Sequence, residues 1–135
     1  MMEDEEVCIR IDRDSDIVTA RVAGRELASR IGFAGSDLTI IATAISEIAR
    51  NIVLYAKHGE MAFAPSRQSG RRGILVIGRD SGPGIPDIEQ AMRDGFSTGK
   101  SLGLGLPGAK RLMDEFEIAS EVGRGTTITM RKWLR

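Results

Sequence analysis

The spacing of apolar residues along this 135-residue chain changes several times, and each change predicts a different element. In "VCIRI", Val7 to Ile11, apolar and polar positions alternate, which is the period of a strand with one buried face. The acidic turn "DRDSD" that follows is able to cap a helix running from about Ile17 to Arg30, with Gly32 as its stop. In "AGSD", Ser36 is placed to N-cap a second, longer helix from Asp37 to about Ala56, and Gly59 lies beyond its end. Leu38, Ile41, Ile45, Ile48 and Ile52 form that helix's apolar stripe. Two strands follow, "EMAFAPS" and "GILVIGRD", joined by a Gly/Arg-rich turn. The loop "SGPGIP" leads to a short helix carrying Ile88, Ala91 and Met92. After a glycine-rich segment a further helix covers roughly Leu106 to Glu115, and "EIASEV" and "TTITMRKWL" form a terminal hairpin around "GRG". Helices and strands are mixed without a repeated βαβ rhythm, which predicts an α+β two-layer sandwich.

Composition narrows the function. The length suits one compact domain, residues 1–135, and 41% hydrophobic with 28% charged residues is an ordinary globular balance. Nineteen basic and nineteen acidic residues give zero formal net charge, without the electrostatic footprint of a nucleic-acid binder. The three arginines of "SRQSGRRG" are most simply a solvated loop. The single cysteine, Cys8, excludes an internal disulfide and argues against a cysteine metal site, which fits a reducing cytoplasm. The acidic start "MMEDEEV" and the lack of an uninterrupted apolar run near ~18 residues argue against a signal peptide and a membrane span.

The candidate chemistry begins with "GFSTGKSLGLGLPGAKRL", Gly95 to Leu112. Its Gly-Lys-Ser is not a P-loop: the glycine required five residues before Gly99 is replaced by Asp94, and a short helix rather than a buried strand precedes it. "GLGLPG" fits a dinucleotide fingerprint poorly, because "STGKS" and not a strand comes before Gly103. More informative is "TAISEIARNIVLY". Glu47 and Asn51 are four residues apart on one side of the helix, and Ile40 and Leu54 project close to the same direction, which reads as a pocket wall. A carboxamide oxygen is a hard metal ligand, and a carboxylate beside it is able to orient or deprotonate a nucleophile; the plain alternative is Glu47 paired with Arg50 on the surface. At the end of "ILVIG", Asp80 emerges before a loop in which Gly82 and Gly84 leave the backbone bare, so that a planar ligand has room and the carboxylate can bond its edge; an ordinary turn is the alternative.

Taken together, "EIARN", "DSGPGIP", "GLGLPG" and "GRGT", in this order, resemble the N, G1, G2 and G3 boxes of the histidine-kinase/gyrase/Hsp90-type (Bergerat fold) ATPases. Over nearly its whole length the chain is similar to the small serine/threonine kinases of partner-switching systems, stressosome switch kinases among them. The resemblance implies a mixed, mostly antiparallel sheet with helices on one face. It implies ATP and Mg²⁺ as cofactors, Asn51 as the Mg²⁺ ligand and Glu47 as the general base. Asp80 would contact the adenine amino group, Gly82 and Gly84 would shape that pocket, and Thr126 would line it. Gly103, Gly105 and Gly108 would let backbone approach the phosphates at a helix start. Gly95 to Ser101 resembles the mobile ATP lid; related kinases often carry an arginine near its end, none occurs between Asp94 and Lys110, and the resemblance leaves open whether Lys100 takes that place. The substrates implied are STAS-domain proteins and the activated target a PP2C-type phosphatase, with no nucleic acid and no membrane involved. Two other classes remain: an ATP-binding, anti-sigma-like module without catalysis, and the catalytic fragment of a sensor histidine kinase. Against the latter, the only histidine, His58, sits just past the second helix, where interaction with the helix C-terminus accounts for it.

Overall fold

The computed structural model describes residues 6–92 and 105–135. In chain order the elements are β1 (Val7–Ile11), α1 (Asp14–Ile31), α2 (Ser36–Asn51) continued by a π-helical turn (Ile52–Ala56), β2 (Gly59–Gln68), β3 (Arg71–Asp80), α3 (Ile88–Ala91), α4 (Gly105–Leu112), β4 (Glu115–Glu121) and β5 (Gly125–Trp133). The strands form one sheet in the order β1-β2-β3-β5-β4. All four pairings are antiparallel, the limiting case of the mostly antiparallel sheet expected.

Alternation along the strands decides which side is covered. Met61, Phe63, Ile74, Val76, Ile128 and Met130 are buried and join Leu27, Ile41, Ile45 and Ile48 of the helices in one core. Two glycines set the depth of that packing. A Cβ on Gly24 of α1 would lie 2.2 Å from Ile45 Cδ1, and one on Gly78 of β3 would lie 2.5 Å from Ile48 Cγ2. Without them α2 would stand further from both α1 and the sheet. Ser36–Ala56 is long and apolar enough to cross a membrane, which a search for uninterrupted apolar runs does not detect. Half of its apolar window is buried inside the protein, so this is the core helix of the fold.

Several boundaries shift for tertiary reasons. The N-cap of α2 is Gly35 (φ 60°), and Ser36 is the first helical residue. α1 begins three residues earlier than the apolar spacing predicts, because Asp16 accepts the backbone N–H groups of Asp12 (2.8 Å) and Arg13 (3.1 Å). α4 stops at Leu112 and not near Glu115. Asp114 N–H donates to Arg131 O at 2.9 Å, and its carboxylate accepts Trp133 N–H at 2.8 Å, which pulls the chain into β4.

The arginines of "SRQSGRRG" are exposed, as expected, but lie in strands and not in a loop. Ser69 (φ 52°) and Gly70 (φ 80°) make a two-residue turn, and the arginines lie in the strands that it joins. Arg71 stacks on the Trp133 ring, 4.5 Å from its centroid, and Arg72 Nη2 donates to Ile31 O at 2.9 Å. Trp133 Nε1 donates to Glu115 Oε2 at 2.8 Å, which completes a fully partnered corner at this end of β5. His58 is exposed, with Nδ1 3.0 Å from Asp12 Oδ1, so its partner is a side chain at the start of α1.

Candidate active site

The opposite end of the same strands gathers the polar residues singled out from the sequence. Asp80, Thr126 and Ser120 are successive cross-strand partners on β3, β5 and β4, and therefore form a row on one face of the sheet. They share that face with Val76, Ile128 and Met130, the side covered by helices. Asp80 Oδ1 accepts Gly82 N–H at 2.9 Å, an Asx-type turn that ends the strand. Thr126 is buried, and its Oγ1 lies 2.8 Å from Ser120 Oγ.

Ser120, which sequence reasoning missed, also accepts Ile85 N–H at 2.7 Å and donates to Gly125 O at 3.2 Å. It thus ties the "SGPGI" loop to the start of β5. The sequence did not fix its position: a turn centred on "GRG" would set Ser120 opposite Ile128, whereas the turn is centred one residue earlier, on Gly123, which sets Ser120 opposite Thr126.

The glycines of the loop act differently from the bare backbone expected. A Cβ on Gly82 would lie 2.6 Å from Ala56 Cβ, and one on Gly84 (φ 79°) would lie 2.4 Å from Glu121 O. Protein atoms fill those spaces, so these two glycines are demanded by packing of the π-turn and β4 against the loop. A Cβ on Gly125 (φ 123°) would meet Asp80 O at 2.1 Å, which holds β5 tightly against the end of β3.

Glu47 is buried at 6% exposure, although it lies on the polar side of α2. Its Oε2 accepts Arg50 Nη1 at 2.7 Å, so the surface alternative was right about the partner and wrong about the solvent. Its Oε1 accepts Gly105 N–H, also at 2.7 Å. That second bond spans 58 residues and sets a carboxylate at the N-terminus of α4, where the helix dipole favours negative charge. Gly105 takes φ 71°, while Gly108 is buried within α4. Asn51, one turn after Glu47, is half-buried at the junction between α2 and the π-turn. The turn closes with a bond from Lys57 N–H to Ile52 O at 2.7 Å, and Gly59 at the start of β2 pairs with Asp80. One strand end therefore brings α2, the "SGPGI" loop, β4 and β5 together. Lys100, Gly103 and the segment Gly95 to Ser101, expected to be a lid, lie outside the described residues.

The donor set also bears on a metal. Among the described residues no group of three or more His, Cys, Asp or Glu side chains could hold an ion. A single amide oxygen at Asn51 suits Mg²⁺, which keeps waters and takes most of its other ligands from a substrate's phosphates.

The chain belongs to the family of the histidine kinase-like ATPase domain, whose model matches residues 12–132, and ATP is the nucleotide of that family. It is 51% identical over 131 residues to the serine/threonine-protein kinase RsbT of Bacillus subtilis, covering 97% of this chain and 98% of that one. It is 32% identical over 120 residues to the anti-sigma F factor of Geobacillus stearothermophilus, covering 84% and 81%. Among solved structures it is similar to the RsbU and RsbW domains of a Mycobacterium tuberculosis protein, with TM-score 0.66 and 26% identity. That match spans 97% of this chain and 33% of the other. Identity to RsbT along nearly all of both chains identifies serine/threonine protein kinase activity. The anti-sigma factors among its relatives place it with the kinases that work by exchanging protein partners.

Proposed function

We propose that this kinase acts as one domain over residues 1–135, in the cytoplasm, and transfers the γ-phosphoryl group of Mg-ATP to a serine or threonine of a STAS-domain protein. Released by that reaction, it binds and activates a PP2C-type phosphatase. The observation that carries the reading is the burial of Glu47 one turn before Asn51, with its carboxylate tied to the start of α4.

In this reading Glu47 accepts the proton of the incoming hydroxyl, and the negative charge held at the α4 N-terminus is positioned before substrate arrives. Arg50 keeps the carboxylate in place. Asn51 would hold Mg²⁺, which supplies neutralisation of phosphate charge when bound. Asp80 and Thr126 would meet the adenine edge, and the backbone around Gly103, Gly105 and Gly108 would receive the phosphates, with Lys100 as an added cation. Gly105 N–H is already engaged by Glu47, so its contribution to phosphate binding requires that bond to be shared or exchanged. Gly82 and Gly84 contribute by letting the loop pack closely.

The test is incubation of the protein with Mg-ATP and a STAS-domain protein encoded beside it. Phosphate on a serine or threonine of the STAS protein is the expected result. Nucleotide binding without transfer would assign the chain to an anti-sigma-like binding module instead.

A further inference from the structure

The hydroxyl of Ser120 meets three polar groups at once: Ile85 N–H at 2.7 Å, Gly125 O at 3.2 Å and Thr126 Oγ1 at 2.8 Å. A serine hydroxyl has one proton and two lone pairs. Ile85 N–H occupies one lone pair. If Ser120 gave its proton to Thr126, Gly125 O would lose its donor here. All three contacts are hydrogen bonds together only when Ser120 donates to Gly125 O and accepts the proton of Thr126. In that arrangement Thr126 has no proton left to offer and turns only lone pairs outward. Its neighbour in the row, Asp80, is a carboxylate and likewise only accepts.

We infer that Ser120 is a positioning residue that fixes the Thr126 hydroxyl as an acceptor, so that the Asp80–Thr126 row selects a purine edge that donates hydrogen bonds. The amino edge of adenine meets that demand. Guanine presents a carbonyl oxygen there, and two acceptors facing it would be left unpaired, which is the strongest form of discrimination a hydrogen-bonding site can exert. This inference rests on the proposed nucleotide site and adds to it a residue outside the four boxes, on the strand before the last.

The test compares ATP and GTP affinities of the full chain by calorimetry with Mg²⁺ present, for wild type, Ser120→Ala and Ser120→Thr. Wild type should prefer ATP. Ser120→Ala frees the Thr126 hydroxyl to rotate and donate, and the ATP-to-GTP preference should fall by about tenfold or more, from the usual penalty of an unsatisfied buried group. Ser120→Thr restores the hydroxyl and should restore the preference. If Ser120 only braces the loop through Ile85, both nucleotides weaken by the same factor and the preference stays at its wild-type value; that result overturns the inference and leaves the nucleotide site standing. Should Ser120→Ala not fold, Thr126→Val carries the test, since it keeps the shape and deletes the acceptor. An unchanged preference in that variant is equally fatal. A folded wild type that binds neither nucleotide overturns the underlying site, and this inference with it.

Discussion

The β3–β5 ladder ends at Gly73–Trp133 on one side and at Asp80–Thr126 on the other, and the two ends use similar parts. Each has a glycine where no Cβ fits: a Cβ on Gly73 would lie 2.1 Å from Lys132 O, and one on Gly125 would lie 2.1 Å from Asp80 O. Each has acids close by. At the tryptophan end those acids find their partners inside the chain. Asp114 accepts Trp133 N–H, Glu115 accepts Trp133 Nε1, and Arg71 covers the ring. At the other end, among the described residues, Asp80 accepts one backbone N–H, from Gly82, while an ionised carboxylate offers about four acceptor positions. The difference teaches that acidic residues beside a tight strand pair do not in themselves define a site. What distinguishes the two ends is whether the acceptors are saturated by the protein's own donors.

If the two ends are as different as this comparison holds, substitutions should separate chemistry, stability and binding. The largest effect falls on chemistry. Glu47→Gln keeps an acceptor for Gly105 N–H but has no base, so transfer to a STAS protein should drop by about 10²- to 10⁴-fold while ATP affinity changes little. Initial rates and calorimetry on one preparation check both halves, and transfer at the wild-type rate would remove Glu47 from the role of base. Next comes Trp133→Ala. It should cost about 3–5 kcal/mol of stability in denaturant melts, the usual range for deleting a buried large aromatic side chain. The ATP affinity of the folded fraction should not move; a weaker affinity would mean that the two ends are coupled.

Asp80→Asn should do the reverse. It places a donor where an acceptor is needed and should weaken ATP binding by about 1–3 kcal/mol, with a smaller change in melting. Equal ATP affinity in variant and wild type would remove Asp80 from the pocket. The smallest effect belongs to a third acid, Asp12. The hydrogen bond from His58, and then that from Arg10, hold its carboxyl below the usual value of 3.8. A folded-state pKa that is lowered stabilises the fold above the unfolded value and loses that contribution as pH falls through the folded one. Asp12→Asn should therefore lower the melting temperature slightly near neutral pH and not at all once both forms of the carboxyl are protonated. A difference that persists in strong acid would rule out charge as its origin.

The order of the elements and the α+β class were legible because periodicity is a local property. The change from alternating "VCIRI" to the stripe Leu38–Ile41–Ile45–Ile48 needs no knowledge of partners. What was not legible depended on contacts between distant residues. Leu112, Met113 and Phe116 also satisfy helical spacing, and only the bonds from Asp114 to β5 end α4 where it ends. The turn arginines are solvated as expected, but nothing in "SRQSGRRG" announces the tryptophan more than 60 residues later on which Arg71 stacks. Glu47 and Asn51 were placed on one side of a helix by counting, but the bond from Gly105 N–H to the buried Glu47 joins residues 58 apart and was not legible. Asp80 and Thr126 could be brought together only through the resemblance of the four boxes. Ser120 belongs to none of them, and its place opposite Thr126 follows from a turn centred one residue before the "GRG" read from the sequence.

The π-turn that ends α2 carries a consequence for changes in chain length. Lys57 bonds back five residues to Ile52, one more than an α-helix allows, so this turn holds one extra residue. Its last residue, Ala56, fills the space beside Gly82, and Gly59 enters β2 paired with Asp80 three residues after it. Loss of a single codon inside the turn would let it tighten to the ordinary α form with its flanks kept in phase, whereas loss of one between the turn and β2 has no such slack to take it up. The second loss would slip β2 by one residue and bring it into the sheet with its faces exchanged. The Ser69–Gly70 hairpin, at the far end of the same strand, absorbs extra residues without turning anything behind it. In this chain, tolerance of insertions and deletions should rise with distance from Asp80.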